Sequence, residues 1–413
     1  MLESDCHDVI VVGGGPAGST TAALVARGGA RVLLLERETF PRYKIGESLI
    51  PETWGTLERL GVVEQLRDSH FPKKHSVQFF GKTGRPSSPF YFSESPRVKH
   101  PQTWQVVRSE FDQILLDNCR AQGVEVHEGV NVREVILDGD RATGVRAELP
   151  GREVVELGAK VVVDASGNSG LLATRLKLRE EDPKLRNASM FTYFEGAQRD
   201  PGRDEGATLV LNTESQDSWF WYIPLPEDRV SVGVVAPLTY LLRPPKRPPQ
   251  EVFDEEVSRC PGLLPRLEGA RQVAPVQALK DFTYRSRQRA GDGWVLVGDA
   301  YGFIDPLYSS GVFLALKSGE MAADAILDAL AAGDWSASRL GRFETEFLSG
   351  MDAFRKLVHA FYDKEFSIAG FLKEHPQYQD DIVQILVGNV FREDVHRLFT
   401  PMAEMTTLPA PWT

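Results

Sequence analysis

Cysteine is scarce in this 413-residue sequence: Cys6, Cys119 and Cys260 are scattered, with no CxxC pair and no histidine at ligand spacing. That excludes a disulfide framework and a structural zinc site as expectations. The eight histidines form no cluster, so no metal is expected either. Long apolar runs are missing; none approaches the ~20 residues that span a bilayer, and no integral membrane segment is expected. The opening residues MLESDCHDVI lack a basic stretch leading into an apolar one, so no export signal is read and a cytoplasmic location is expected. A basic surplus is absent too. The net charge of −11 argues against a general nucleic-acid binder and fits a solvated acidic surface. No internal repeat is evident.

What remains is an ordinary globular composition, 42% hydrophobic and 25% charged, on a chain long enough for two or three domains. DVIVV (8–12) is a continuous apolar run of the buried parallel-strand kind. The turn GGGPAGS, a small-residue helix and the strand RVLLLE follow, making a βαβ unit at the N-terminus. Residues 108–121 read as a helix, VEVHEG as a strand, and VREVILDGDRATGVRAEL as a hairpin with Asp-Gly turn chemistry. KVVVDASG is a second buried strand. From 186 to 236 the pattern alternates and is rich in aromatics, which suggests an antiparallel sheet with one face open to ligand. RPPKRPP (243–249) is a loop, GWVLVGDA a returning strand, GVFLALKSGEMAADAILDALAAG a long helix, and 336–413 is helical.

Gly13, Gly15 and Gly18 form GxGxxG between strand and helix, where backbone approaches a pyrophosphate at the helix N-terminus. Glu36 follows Gly18 by 18 residues, at the end of the next strand, where a carboxylate can bond ribose hydroxyls. The bland alternative is a glycine-rich turn without a ligand. For Asp299 it is an Asx turn after a strand.

Two more segments turn the reading to FAD by resemblance. GWVLVGDAYGFIDP resembles the second flavin fingerprint of the glutathione-reductase-like superfamily, and KVVVDASGNSG its internal Asp-x-x-Gly motif. The resemblance implies an α/β fold: a Rossmann FAD-binding domain, an inserted antiparallel β-sheet substrate domain and a helical C-terminal extension. The expected divisions are 1–75, 103–180 and 276–335 for FAD, 76–102 and 181–275 for substrate, and 336–413 for the extension. It implies FAD contacts from Gly13, Gly15, Pro16, Ala17, Gly18 and Glu36. Further contacts come from Arg42, Ser48, Arg108 and Asp164, and from Gly298, Asp299, Pro306 and Gly311. No second GxGxxG exists for NAD(P)H, so electrons are expected from a separate NAD(P)H-dependent flavin reductase.

Residues 219–224, Trp-Phe-Trp-Tyr-Ile-Pro, match the WxWxIP pattern of flavin-dependent halogenases (Trp219, Trp221, Ile223, Pro224). FPRYKIGESLIP (40–51) is similar to the loop that covers the flavin in halogenases of phenols and pyrroles, and IDPLYSSGVFLA (304–315) to the halide-holding segment. The resemblance implies reduced FAD (FADH2), oxygen and chloride or bromide as reactants, with hypohalous acid passed to Lys74. Ser310 and Gly311 would hold the halide at the positive helix end, and Ser309 would assist. Lys73 and Lys44 are alternatives to Lys74, whose ordinary reading is a snorkelling surface residue. For the tryptophans it is sheet packing. Tryptophan halogenases carry a glutamate where this chain has Tyr308, so a phenol or pyrrole is expected, free or tethered to a carrier protein. The competing expectations are a reductase or monooxygenase resembling the geranylgeranyl-reductase group, and a non-enzymatic binding protein on the same scaffold.

Overall fold

The computed structural model describes residues 7–245 and 247–412, so Cys6, most of the opening stretch in which no export signal is read, and Lys246 of the Pro-rich loop lie outside the described residues. Val9, Ile10 and Val11 have no exposed surface, as a strand buried on both faces requires. His7–Val12 pairs in parallel with Val32–Glu36 on one side and Val154–Asp164 on the other. The sheet reads Ala290–Gly291, Trp294–Leu296, Val154–Asp164, His7–Val12, Val32–Glu36, Glu125–Glu128. The hairpin Asn131–Asp138 and Arg141–Glu148 is joined to it through Val154–Asp164. Gly139 supplies the left-handed backbone of its turn, at φ 60°. Helix Pro16–Arg27 makes the crossover after the glycine turn.

The second sheet has nine strands, running Gly302–Phe303, Gln277–Ser286, Arg179–Glu195, Arg229–Pro237, Trp219–Pro224, Thr208–Asn212, Ser76–Phe80, Phe90–Tyr91, with Arg271–Gln272 beside Arg179–Glu195. It is antiparallel as expected except at one place. Ser76–Phe80 lies parallel to Thr208–Asn212. It arrives from the first domain by a long connection, and only such a crossover can deliver a parallel neighbour. Strand Gln277–Ser286 continues this sheet past residue 275, where the expected division fell.

Period two decides which side of this sheet carries chemistry. Phe220 and Tyr222 pack on the face covered by helix Pro249–Ser258, with Phe220 edge-on to Phe253 at 5.8 Å. Trp219, Trp221 and Ile223 belong to the other core, shared with the nucleotide-binding domain. The C-terminal stretch is helical, with Glu344–Tyr362 its longest helix. Gln379–Val387 buries Val383 and Val387 against Phe92 and Val98. Among the described residues no helix is long and apolar enough to cross a membrane.

Candidate active site

Between the two sheets lies a cavity of about 740 Å³, which reaches from Gly13 and Glu36 to Trp219 and Trp221. Its nucleotide end is shaped by glycine. A Cβ on Gly18 would sit 1.9 Å from the Gly13 carbonyl oxygen, so helix and strand meet only because Gly18 has none. A Cβ on Gly15 would meet nothing nearer than the Arg42 guanidinium at 3.5 Å. The space above Gly15 is therefore open, and the helix N-terminus behind it has no side-chain cap. Those uncapped N–H groups suit a pyrophosphate. Glu36 accepts from the Gly14 N–H at 2.7 Å and the Glu38 N–H at 2.9 Å, and keeps lone pairs for ribose hydroxyls. These features fit FAD.

Pro16, Ala17, Gly298, Asp299, Pro306 and Gly311 also line the cavity. Gly298 turns the chain at φ 58°, a left-handed bend just before Asp299. Gly18 and Asp164 do not line the cavity, and Arg108 lines it with its guanidinium engaged elsewhere. Asp164 is fully buried and does not line the cavity; its carboxylate accepts from Ser166 N, Ser166 Oγ and Leu172 N and so braces the turn after its strand. Arg108 lines the cavity, but its guanidinium is held by Asp112 at 2.9 and 3.0 Å and by the Ile45 carbonyl at 2.5 Å. Arg42 donates to the same Asp112 at 2.9 Å. This buried trio fastens the 40–51 loop over the cavity.

The three candidate lysines separate cleanly. Lys44 is part exposed and paired with Glu38. Lys73 and Lys74 form a two-residue strand against Thr103–Trp104, whose alternation turns Lys73 out and Lys74 in. Lys74 is 2% exposed. Its ammonium donates to Ser48 Oγ at 2.8 Å and the Leu49 carbonyl at 3.0 Å, and lies 5.7 Å from the centre of the Phe92 ring. Ser48 bonds Thr208 Oγ1 at 2.8 Å, and both line the cavity, with Lys74 directly behind them. Among the described residues no carboxylate pairs with Lys74, and burial lowers its pKa from 10.5 to about 7.

This burial has a signed consequence. Between about pH 7 and 10.5 the unfolded chain binds a proton at Lys74 that the fold does not, so stability falls as pH drops through that window. The unfolding midpoint of wild type relative to Lys74→Met should therefore rise from pH 7 to about pH 10. A difference flat across that range would mean that the ammonium is solvated.

Trp219 and Trp221 face the cavity with Ile223, while Pro224 lies beyond it. Trp221 lies across its cross-strand partner Gly233, where a Cβ would come within 2.2 Å of the indole. Its N–H donates to Ser231 Oγ at 3.1 Å. The Trp219 N–H donates to the Tyr362 hydroxyl at 2.9 Å, and Tyr362 donates to Asp305 at 3.2 Å. Asn187 holds the same Asp305 at 2.9 Å, and Asp305 caps Leu307 N at 3.0 Å. This network fixes the turn that follows. There Ser309, at φ 55°, is a serine in the left-handed region and precedes helix Ser310–Ala332. Such strain is held only where surroundings impose it, commonly at functional sites. Ser309 and Gly311 line the cavity; Ser310 is buried beside them. Tyr308 turns away, its hydroxyl donating to the Leu357 carbonyl at 3.3 Å.

Sequence reasoning passed over Glu47, although it stands in GESLIP among apolar neighbours, which is itself a signal. It lines the cavity at 3% exposure and accepts from the Tyr193 hydroxyl at 2.6 Å. Burial pushes its carboxyl up to about 7. Thr208, Asp112 and Tyr362 were also passed over, and for them no local signal exists.

A family model described as FAD binding domain matches residues 6–348. A 1H-pyrrole-2-carbonyl-[peptidyl-carrier protein] chlorinase of Pseudomonas fluorescens is 32% identical, over 93% of this chain and 90% of its own. The corresponding brominase of Pseudoalteromonas luteoviolacea is 30% identical, over 95% and 94%. A tryptophan 2-halogenase of Chondromyces crocatus is 33% identical over 86% of this chain but 67% of its own. Among solved structures, the flavin-dependent brominase Bmp2 superposes with a TM-score of 0.87 at 29% identity, covering 97% of this chain and 99% of that one.

Proposed function

Since the chain belongs to the flavin-dependent halogenases of the FAD-binding-domain family, we propose that it halogenates a pyrrole or phenol presented on a carrier protein, using FADH2, oxygen and chloride or bromide. The observation that carries the reading is Lys74: an ammonium sealed from water, with no counter-charge among the described residues, hydrogen-bonded to the cavity wall through Ser48. A buried charge without a partner is costly and persists where it has work to do. Bound in its reduced form, FAD supplies with oxygen the oxidising equivalents that convert halide to hypohalous acid.

The chain's own residues supply the rest. The open turn at Ser309 and Gly311 receives the halide at the uncapped N-terminus of helix Ser310–Ala332. Lys74 hydrogen-bonds hypohalous acid or is converted to a chloramine, and the ring exchanges C–H for C–halogen with release of water. The indoles of Trp219 and Trp221 form part of the cavity wall. Tyr308, with its hydroxyl turned into the core, offers no carboxylate base. That suits a ring activated by its own heteroatom. A carrier-tethered substrate is favoured by the match to both pyrrole-carrier enzymes over at least 90% of their lengths. A separate flavin reductase, in the same cytoplasmic setting, would deliver FADH2.

The test is mass spectrometry of free and carrier-bound pyrroles and phenols given FADH2, oxygen and halide. The wild type should halogenate, and purified alone it should oxidise NADH negligibly. Stoichiometric NADPH consumption without a reductase, or reduction of an isoprenoid double bond in place of halogenation, would overturn the reading.

A further inference from the structure

We infer that Glu47, Tyr193 and Tyr43 form a proton conduit from solvent into the reaction cavity, with Glu47 as the group that delivers the proton. The inference rests on the halogenation proposed above. In that reaction FADH2, O2, a ring C–H, a halide and one proton give FAD, the halogenated ring and two waters. A proton must therefore enter the cavity at every turnover. Glu47 is at its wall and almost fully buried. One carboxyl oxygen accepts from the Tyr193 hydroxyl at 2.6 Å, and that hydroxyl bonds the Tyr43 hydroxyl at 2.8 Å. Tyr43 is 48% exposed, among the few large hydrophobic side chains at the surface. The second oxygen, Oε2, is buried and accepts no hydrogen bond. It is the end from which a proton can leave.

The surroundings keep the links in the right protonation states. The charged group facing Glu47 is Arg108, from the helix at 108–121; its guanidinium is bonded by Asp112 and also feels the Asp299 charge. From the sheet, the Tyr193 hydroxyl bonds the carboxyl and the Ser231 hydroxyl lies near enough to lower its pKa. Burial outweighs Arg108, so Glu47 exchanges its proton near pH 7. Burial likewise raises Tyr43 to about 12, and Tyr193 further. Both tyrosines stay protonated and pass a proton by exchanging hydrogen bonds. Tyr193 and Tyr43 act through Glu47 and are positioning residues.

Two measurements test this. Infrared titration of the FAD-free protein should show a protonated-carboxyl band that titrates near neutrality, disappears in Glu47→Gln and shifts in Tyr193→Phe. Single-turnover halogenation should slow roughly 10²-fold in Glu47→Gln. It should slow about tenfold above neutral pH in Tyr43→Phe, where the variant's rate, unlike the wild type's, rises with the concentration of a small buffer acid. Tyr43→Phe removes only a surface hydroxyl and leaves the fold intact. Wild-type rate and pH profile in both variants, beside an active wild type, would overturn the conduit while leaving the halogenase standing. An absent infrared band would also overturn it. No product from the wild type would overturn the halogenase reading and, with it, the need for the conduit.

Discussion

Lys74→Ala should lower halogenated product by at least about 10³-fold, the scale of losing a positioned acid–base or electrostatic group, while FAD is retained with unchanged affinity. The two effects separate because Lys74 stands behind Ser48 and Thr208, not among the residues that line the nucleotide end. The fold should tolerate the change. Ser48 Oγ and the Leu49 carbonyl each lose a donor, at about 1–3 kcal/mol for a buried group left unpaired. Removal of a desolvated charge offsets part of that. Lys74→Arg should fail as well. The slot beside Phe92 takes a linear stem and a compact ammonium, whereas a planar guanidinium is bulkier and forms no chloramine in the same way. The check is mass spectrometry of the product beside flavin absorbance of the same preparation. Full halogenation by Lys74→Ala, with loss in Lys73→Ala or Lys44→Ala, would show that the relay runs through another lysine.

Gly15→Val should yield a folded, colourless protein. At Gly15 a side chain meets only the end of the Arg42 guanidinium at 3.5 Å, so the apo-protein accepts it. The isopropyl group then occupies the opening above the uncapped helix, where the pyrophosphate would lie. A weakening of FAD binding by more than about 100-fold, near 2.7 kcal/mol, is expected. Gly18→Ala makes the informative contrast. Its Cβ would fall 1.9 Å from a backbone oxygen, so this variant should lose stability even without flavin. Thermal unfolding of both apo-variants, with flavin titration of Gly15→Val, distinguishes ligand exclusion from misfolding. Undiminished FAD affinity in Gly15→Val would remove the pyrophosphate from this turn.

The parts of the protein determined by sequence alone are those whose physics is local. A run such as DVIVV with a glycine turn behind it has one low-energy outcome, a buried strand leading into a helix N-terminus, and Gly13 to Glu36 were legible for that reason. The alternation of Trp219, Trp221 and Ile223 follows from the two-residue period of a strand, so their common face was legible too. Which face met the cavity was not. That depended on helix Pro249–Ser258 covering the opposite side. The choice among Lys44, Lys73 and Lys74 also waited on tertiary structure, because only the pairing with Thr103–Trp104 sets which of two adjacent lysines turns inward. Asp164 carried a recognisable motif, yet its carboxylate is used up by the turn beside it. Asp112 under the covering loop, Tyr362 on Trp219 and Thr208 on Ser48 are joined to their partners across 70, 143 and 160 residues of chain. Hydrogen bonds between such distant residues leave no period or spacing in the sequence, since packing two sheets around one cavity is what brings the atoms together.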